Sequence, residues 1–161
     1  MLSLKSQIGK VVGPYYDLVS QERITAFCRA VGTEEGFFAP PTFLTVFRKG
    51  EFELFQLLGI DLSHVLHAEQ EYQYDCLIQA GDQIEFETVV LNVLEKQGST
   101  GFMQFLTFET RFKTKRLLQE VVEVRSKQDP QEDKDSPGDS DFEVHSIGRA
   151  KTTIVVRERK M

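Results

Sequence analysis

The stretch AVGTEEGFFAPPTFLTVFRKGEFELFQLLG, Ala30 to Gly59, decides the fold. A short polar turn runs into Pro40-Pro41, and a long apolar segment follows. Proline suits a first helical turn, where its missing N–H would have no partner anyway. The spacing predicts a helix from about Pro41-Thr42 to Gly59. Phe43, Leu44, Val46, Phe47, Phe52, Leu54, Phe55, Leu57 and Leu58 cover more than one face, so this helix is expected to be buried. Gly50 in its middle costs up to ~1 kcal/mol relative to alanine, which predicts a close approach by another segment. Upstream, SQERITAFCRAVG reads as a short amphipathic helix. Ser20 is its N-cap with Arg23 at N3, Ile24, Phe27, Cys28 and Val31 form its apolar face, and Gly32 closes it.

Around these helices the period switches to two. Ile8–Val19 is an extended entry segment broken at Gly13-Pro14. In EQEYQYDCL, Tyr72, Tyr74 and Cys76 alternate with Glu71, Gln73 and Asp75. After the Ala80-Gly81-Asp82 turn, Ile84, Phe86, Thr88 and Val90 alternate with Glu85 and Glu87. QGSTG turns the chain again. FMQFLTFETRFKT and LLQEVVEVRS read as two more strands about a Lys115-Arg116 turn, and AKTTIVVRER as the last. These are long antiparallel strands with one face that needs an apolar cover. The expected class is α+β: a single domain over residues 1–161, with a long antiparallel sheet wrapped around one central buried helix.

The 161 residues carry a net charge of −6, and Lys127–Glu143 alone contribute −5, from seven acids and two lysines. With its Pro and Gly content this segment, about residues 127–143, reads as a mobile acidic insertion. The remainder is almost neutral and has no basic face, which argues against nucleic acid as a partner. No apolar run approaches the ~20 residues that span a bilayer. No signal-peptide core opens the chain, and Cys28 and Cys76 lack CxxC spacing. The expectation is a cytoplasmic protein with reduced thiols, no membrane partner, no metal and no cofactor.

The order of short motifs resembles the N-terminal MaoC-like dehydratase family. APPTF opens the central helix, His67-Ala68-Glu69-Gln70 stands where that family has a His-Gly-Glu-Gln-like step, and Ala80-Gly81-Asp82 forms the following turn. The similarity runs from Ile8 to about Thr114 and again over Ala150–Arg157. It implies a hot-dog fold acting on acyl thioesters, with acyl-CoA or an acyl carrier protein as the substrate's carrier. Active members of the family hydrate 2-enoyl thioesters or dehydrate (3R)-hydroxyacyl thioesters. They use an Asp and a His on the loop before the central helix, and a glycine N–H that polarises the carbonyl. Here that loop, GTEEGFFAPP, holds neither Asp nor His, and Pro40-Pro41 offers no N–H. The resemblance therefore implies the non-catalytic type of subunit, in a homodimer or in a heterodimer with a catalytic hot-dog subunit.

Pro41, Thr42, Phe43, Phe47 and Gln70 are the expected lining of the acyl channel, although a row such as Phe37, Phe38, Phe43 and Phe47 also suits plain core. If the chain is active by itself, His67 and Glu69 are the candidate acid and base, since i and i+2 share a face in a strand. The alternative is a structural pair fixing the helix-to-strand link. Glu51 and Glu53 are the carboxylates available to a hot-dog thioesterase on the central helix. Three readings stay open at this point: accessory subunit, self-sufficient hydratase or thioesterase, and acyl-CoA binder without turnover.

Overall fold

The computed structural model describes residues 3–98, 101–117 and 142–157. Five strands form one antiparallel sheet: β1 (Val11–Leu18), β2 (Val65–Tyr74), β3 (Gln83–Gly98), β4 (Gly101–Leu117) and β5 (Phe142–Arg157), in the order β1-β3-β4-β5-β2. Two α-helices accompany it, α1 (Gln21–Val31) and α2 (Lys49–Leu57). The α+β sheet-and-helix layout is the one the periodicity predicts. No helix among the described residues is long and apolar enough to cross a membrane.

The alternation along the strands defines the faces. Ile84, Phe86, Thr88 and Val90 of β3, Leu106, Phe108, Thr110 and Phe112 of β4, and Ala150, Thr152 and Ile154 of β5 are buried on the concave side. Helix α1 starts as expected: the Ser20 hydroxyl accepts the Arg23 N–H, a cap worth ~1 kcal/mol. It ends at Gly32 in the left-handed conformation with φ 72°. Ile24 and Cys28 are its buried residues.

The segment after Pro40-Pro41 differs from the single helix expected. A 3-10 turn covers Phe43–Val46, the backbone leaves helical geometry at Phe47 (φ −94°, ψ 64°), and α2 begins only at Lys49. The cause is the Phe47 ring. It sits among Phe43, Phe86 and Phe112, with centroids 5.9, 5.6 and 5.9 Å away, and beneath the Arg23 guanidinium at 5.6 Å. Thr42, Thr45 and Val46 add weak helix propensity to the same stretch. Nor is the segment buried all round, because the sheet covers only one side of it. Val46, Phe52 and Leu57 are exposed.

Arg116 also departs from expectation. Lys115 and Arg116 do not turn the chain; they continue β4, paired with Val144 and Glu143 of β5. Arg116 is held there by the buried carboxylate of Asp82, to which its Nε and Nη2 donate at 2.7 and 2.8 Å. This hydrogen bonding raises the guanidinium pKa further. Most of the strand expected at LLQEVVEVRS, and the acidic insertion up to Asp141, lie outside the described residues.

Gly50 meets the predicted close approach. A Cβ there would stand 2.2 Å from Thr88 Oγ1 and 3.3 Å from the Tyr15 ring. Gly50→Ala is expected to destabilise the fold by about 1–3 kcal/mol through overpacking, read as a lower urea midpoint with unchanged slope.

Two phenols carry a pH signature. Tyr15 is pushed up to about 12 by burial and by its 2.6 Å hydrogen bond to Glu53, and Tyr74 to about 12 by burial. The folded state keeps both protons where the unfolded chain, with pKa near 10, has lost them. Stability is therefore intact below pH ~10 and falls as pH rises from ~10 to ~12. A tyrosinate-absorbance titration should show a late step near pH 12 that Tyr15→Phe and Tyr74→Phe each diminish.

Candidate functional site

Between α2 and β2 runs a groove of about 780 Å³. Arg48, Phe52 and Phe55 line it from the helical side, at i, i+4 and i+7, so they share one face. Val65, His67, Gln70 and Tyr72 line it from β2, Ile154 from β5, and Thr42, Thr45 and Leu62 from the flanking turns. The groove is graded: Thr42, Thr45, Tyr72, Arg48, Gln70 and His67 make a polar end, and Phe52, Phe55, Leu62, Val65 and Ile154 an apolar one.

Beneath the polar end a chain of hydrogen bonds ties helix to sheet. Glu51, only 6% exposed, points inward from the first turn of α2. Its Oε2 accepts from Arg48 Nε at 3.0 Å and Nη2 at 2.9 Å. Its Oε1 accepts from the Thr152 hydroxyl at 2.5 Å. That hydroxyl also lies 2.9 Å from Gln70 Oε1, so one proton faces two acceptors and the closer one is the carboxylate. Gln70 Nε2 donates to the Lys151 carbonyl at 3.1 Å, which fixes the orientation of the amide and leaves Oε1 towards His67. His67 Nε2 donates to that Oε1 at 3.3 Å, which places the imidazole proton on Nε2 and leaves Nδ1 without it in the neutral ring.

His67 meets Gln70 rather than Glu69 because β2 is bulged. His67 pairs with Ile154 and Glu69 with the adjacent Thr153, so Ala68 is an extra residue on its strand. The bulge breaks the i, i+2 relation. Gln70, Tyr72 and Tyr74 are half-buried on the inner face and His67, itself exposed, lines the groove beside them, while Glu69 is exposed on the outer face. No hydrogen bond or ion pair joins Glu69 to His67 among the described residues. Thr42 and Gln70 line the groove. Phe43 and Phe47, 1% and 4% exposed, sit in the core instead. Pro41 is exposed and contributes its carbonyl, which accepts the Tyr74 hydroxyl. Glu53 binds Tyr15 away from the groove. The sequence reading missed Arg48 and Thr152. Arg48 stands three residues before Glu51, a spacing that brings their side chains together on a helix; Thr152 gave no comparable signal. No three His, Cys, Asp or Glu side chains among the described residues converge to hold a metal ion.

A long antiparallel sheet curled over one short helix, with a groove along that helix, defines a hot-dog domain. Residues 6–117 match the family described as the FAS1-like dehydratase domain region, and the chain belongs to that family, among the MaoC-like hot-dog dehydratases. No curated protein matches the sequence. Among solved structures, the chain is similar to one in the C-terminally truncated HadBC (3R-hydroxyacyl-ACP dehydratase) complex from Mycobacterium tuberculosis. That match has TM-score 0.62 at 17% identity and covers 92% of this chain and 96% of that one. A MaoC-like dehydratase gives TM-score 0.65 at 17% identity; 96% of this chain matches, spanning 43% of the other. A chain of the ChsH1-ChsH2 complex from Mycobacterium tuberculosis gives 0.59 at 15% identity, covering 98% and 89%. At these identities the likeness is one of fold.

The network makes a stability prediction. Thr152→Val removes the sheet hydroxyl that donates to Glu51 and leaves a buried carboxylate oxygen without that donor. A loss of about 1–3 kcal/mol in urea unfolding is expected. Thr107→Val, which breaks the less buried 3.1 Å pair with Thr153, should cost less.

Proposed function

We propose that this chain is the non-catalytic hot-dog subunit of an enzyme that hydrates 2-enoyl thioesters or dehydrates 3-hydroxyacyl thioesters. Its partner is a second hot-dog chain carrying the Asp and His. The carrying observation is the segment from Gly32 to Pro41: it contains no Asp and no His, and the two prolines that close it have no N–H to offer a developing oxyanion. The graded groove supports the same reading. Its apolar end suits an alkyl chain, and its polar end suits a thioester head presented to the partner's acid and base. The similarity to chains crystallised as HadBC and ChsH1-ChsH2 complexes supports a partner subunit of the same fold.

One observation favours a second reading, a self-sufficient hydratase. His67 stands in the groove with its ring oriented by Gln70, an arrangement that a general base could use. Incubation of the folded chain with a short 2-enoyl-CoA decides between the two. The accessory reading expects no loss of enoyl thioester absorbance from the chain alone, and turnover once a hot-dog chain bearing the Asp/His pair is co-purified with it. Turnover by the chain alone, abolished in His67→Ala, would overturn it in favour of the second.

A further inference from the structure

We infer that Phe52 sets the length of the acyl chain that the groove accepts, an inference that rests on the acyl-groove reading above. The helix is fixed along the groove by Glu51, whose bond to Thr152 lays the first turn of α2 over Gln70 and Thr152. One turn on, Phe55 packs in the cluster that holds Ile154 and Val65. Between these two levels stands Phe52. An acyl thioester with its polar head near Arg48 and Gln70 points its tail along α2 at Phe52, with Phe55, Val65 and Leu62 beyond that ring.

Phe52 is 44% exposed, yet its ring is held from two sides. The Arg48 guanidinium lies over it at 5.2 Å, and Phe55 meets it in a T-shaped contact at 5.8 Å. Arg48 is itself fixed by Glu51. The ring is therefore a positioned wall across the apolar end, and a tail that reaches it must stop or turn outward. A smaller side chain at 52 opens the groove towards Leu62 and Val65 and leaves the polar end unchanged.

The test is calorimetric titration of the full chain with a ladder of saturated acyl-CoAs from butyryl to hexadecanoyl. Wild type, Phe52→Ala, Phe52→Leu and Val46→Ala are compared; Val46 is exposed on the same segment but lies outside the groove. The expected result is a preferred length in wild type that moves to longer chains in Phe52→Ala. The long-to-short affinity ratio should rise about tenfold, the order that a methylene or two is worth in an apolar pocket. Phe52→Leu should give a smaller shift and Val46→Ala none. A wild-type ladder retained in both Phe52 variants would overturn the role of Phe52 and leave the acyl groove standing. No binding of any acyl-CoA by the wild type would overturn the groove reading and this inference with it.

Discussion

The contact between Glu51 and Thr152 is the constraint on which the rest of the structure depends. It joins the first turn of α2 to the fourth strand of the sheet order, across a concave face that is otherwise mostly apolar. A carboxylate buried to this degree is tolerated only when its oxygens are occupied, and here Arg48 takes one and Thr152 the other. Hydrophobic burial alone would let a short helix slide or rotate on a curved sheet. A directional bond from a fixed threonine removes that freedom, and the groove owes its shape to it.

The same face carries a staggered polar seam. Thr88 and Thr110 share a 2.9 Å hydrogen bond, and Thr152 continues the seam to Gln70. On one side lie the aromatic rings of Phe43, Phe47, Phe86 and Phe112; on the other lie Leu54, Phe55, Leu106 and Phe108. Gly50 lies directly over the seam, where a side chain would strike Thr88. The seam thus sets how closely α2 approaches the sheet, and Glu51 sets where along it the helix rests. Both residues belong to one helical turn, so position and depth are fixed together.

Much of this was legible in the residues. The period-two alternation of Ile84, Phe86, Thr88 and Val90 named the concave face of β3, and Ser20 with Gly32 bounded α1. Gly50 announced a close approach before any partner could be named. The parts that escaped depend on contacts distant in sequence. The break at Phe47 follows from where Phe86 and Phe112 place a pocket for its ring. Arg116 stays in a strand because Asp82, far back in the chain, holds it. Of the groove's lining, Thr42, Gln70 and His67 were legible because they sit in or beside short motifs. Thr152 was not, since a threonine in a strand carries no signal until its neighbours are known. Glu69 was paired with His67 on a regular-strand assumption that the bulge at Ala68 voids.

That bulge has a wider meaning. Ala68 acts as a phase shift within β2. Residues before and after it follow the same two-fold rule but count from different origins. Were the strand regular with the same sequence, Glu69, Glu71 and Gln73 would turn inward and Gln70, Tyr72 and Tyr74 outward, placing acidic side chains against a buried carboxylate. Loss of Ala68 itself would leave the inward set as it is, because the pairing on both sides already matches a strand one residue shorter. The composition of the groove is therefore indifferent to the chemistry of residue 68 and sensitive to the count of residues around it. Length variation at this one position is compatible with an unchanged groove, whereas a single insertion a few residues to either side would exchange its lining.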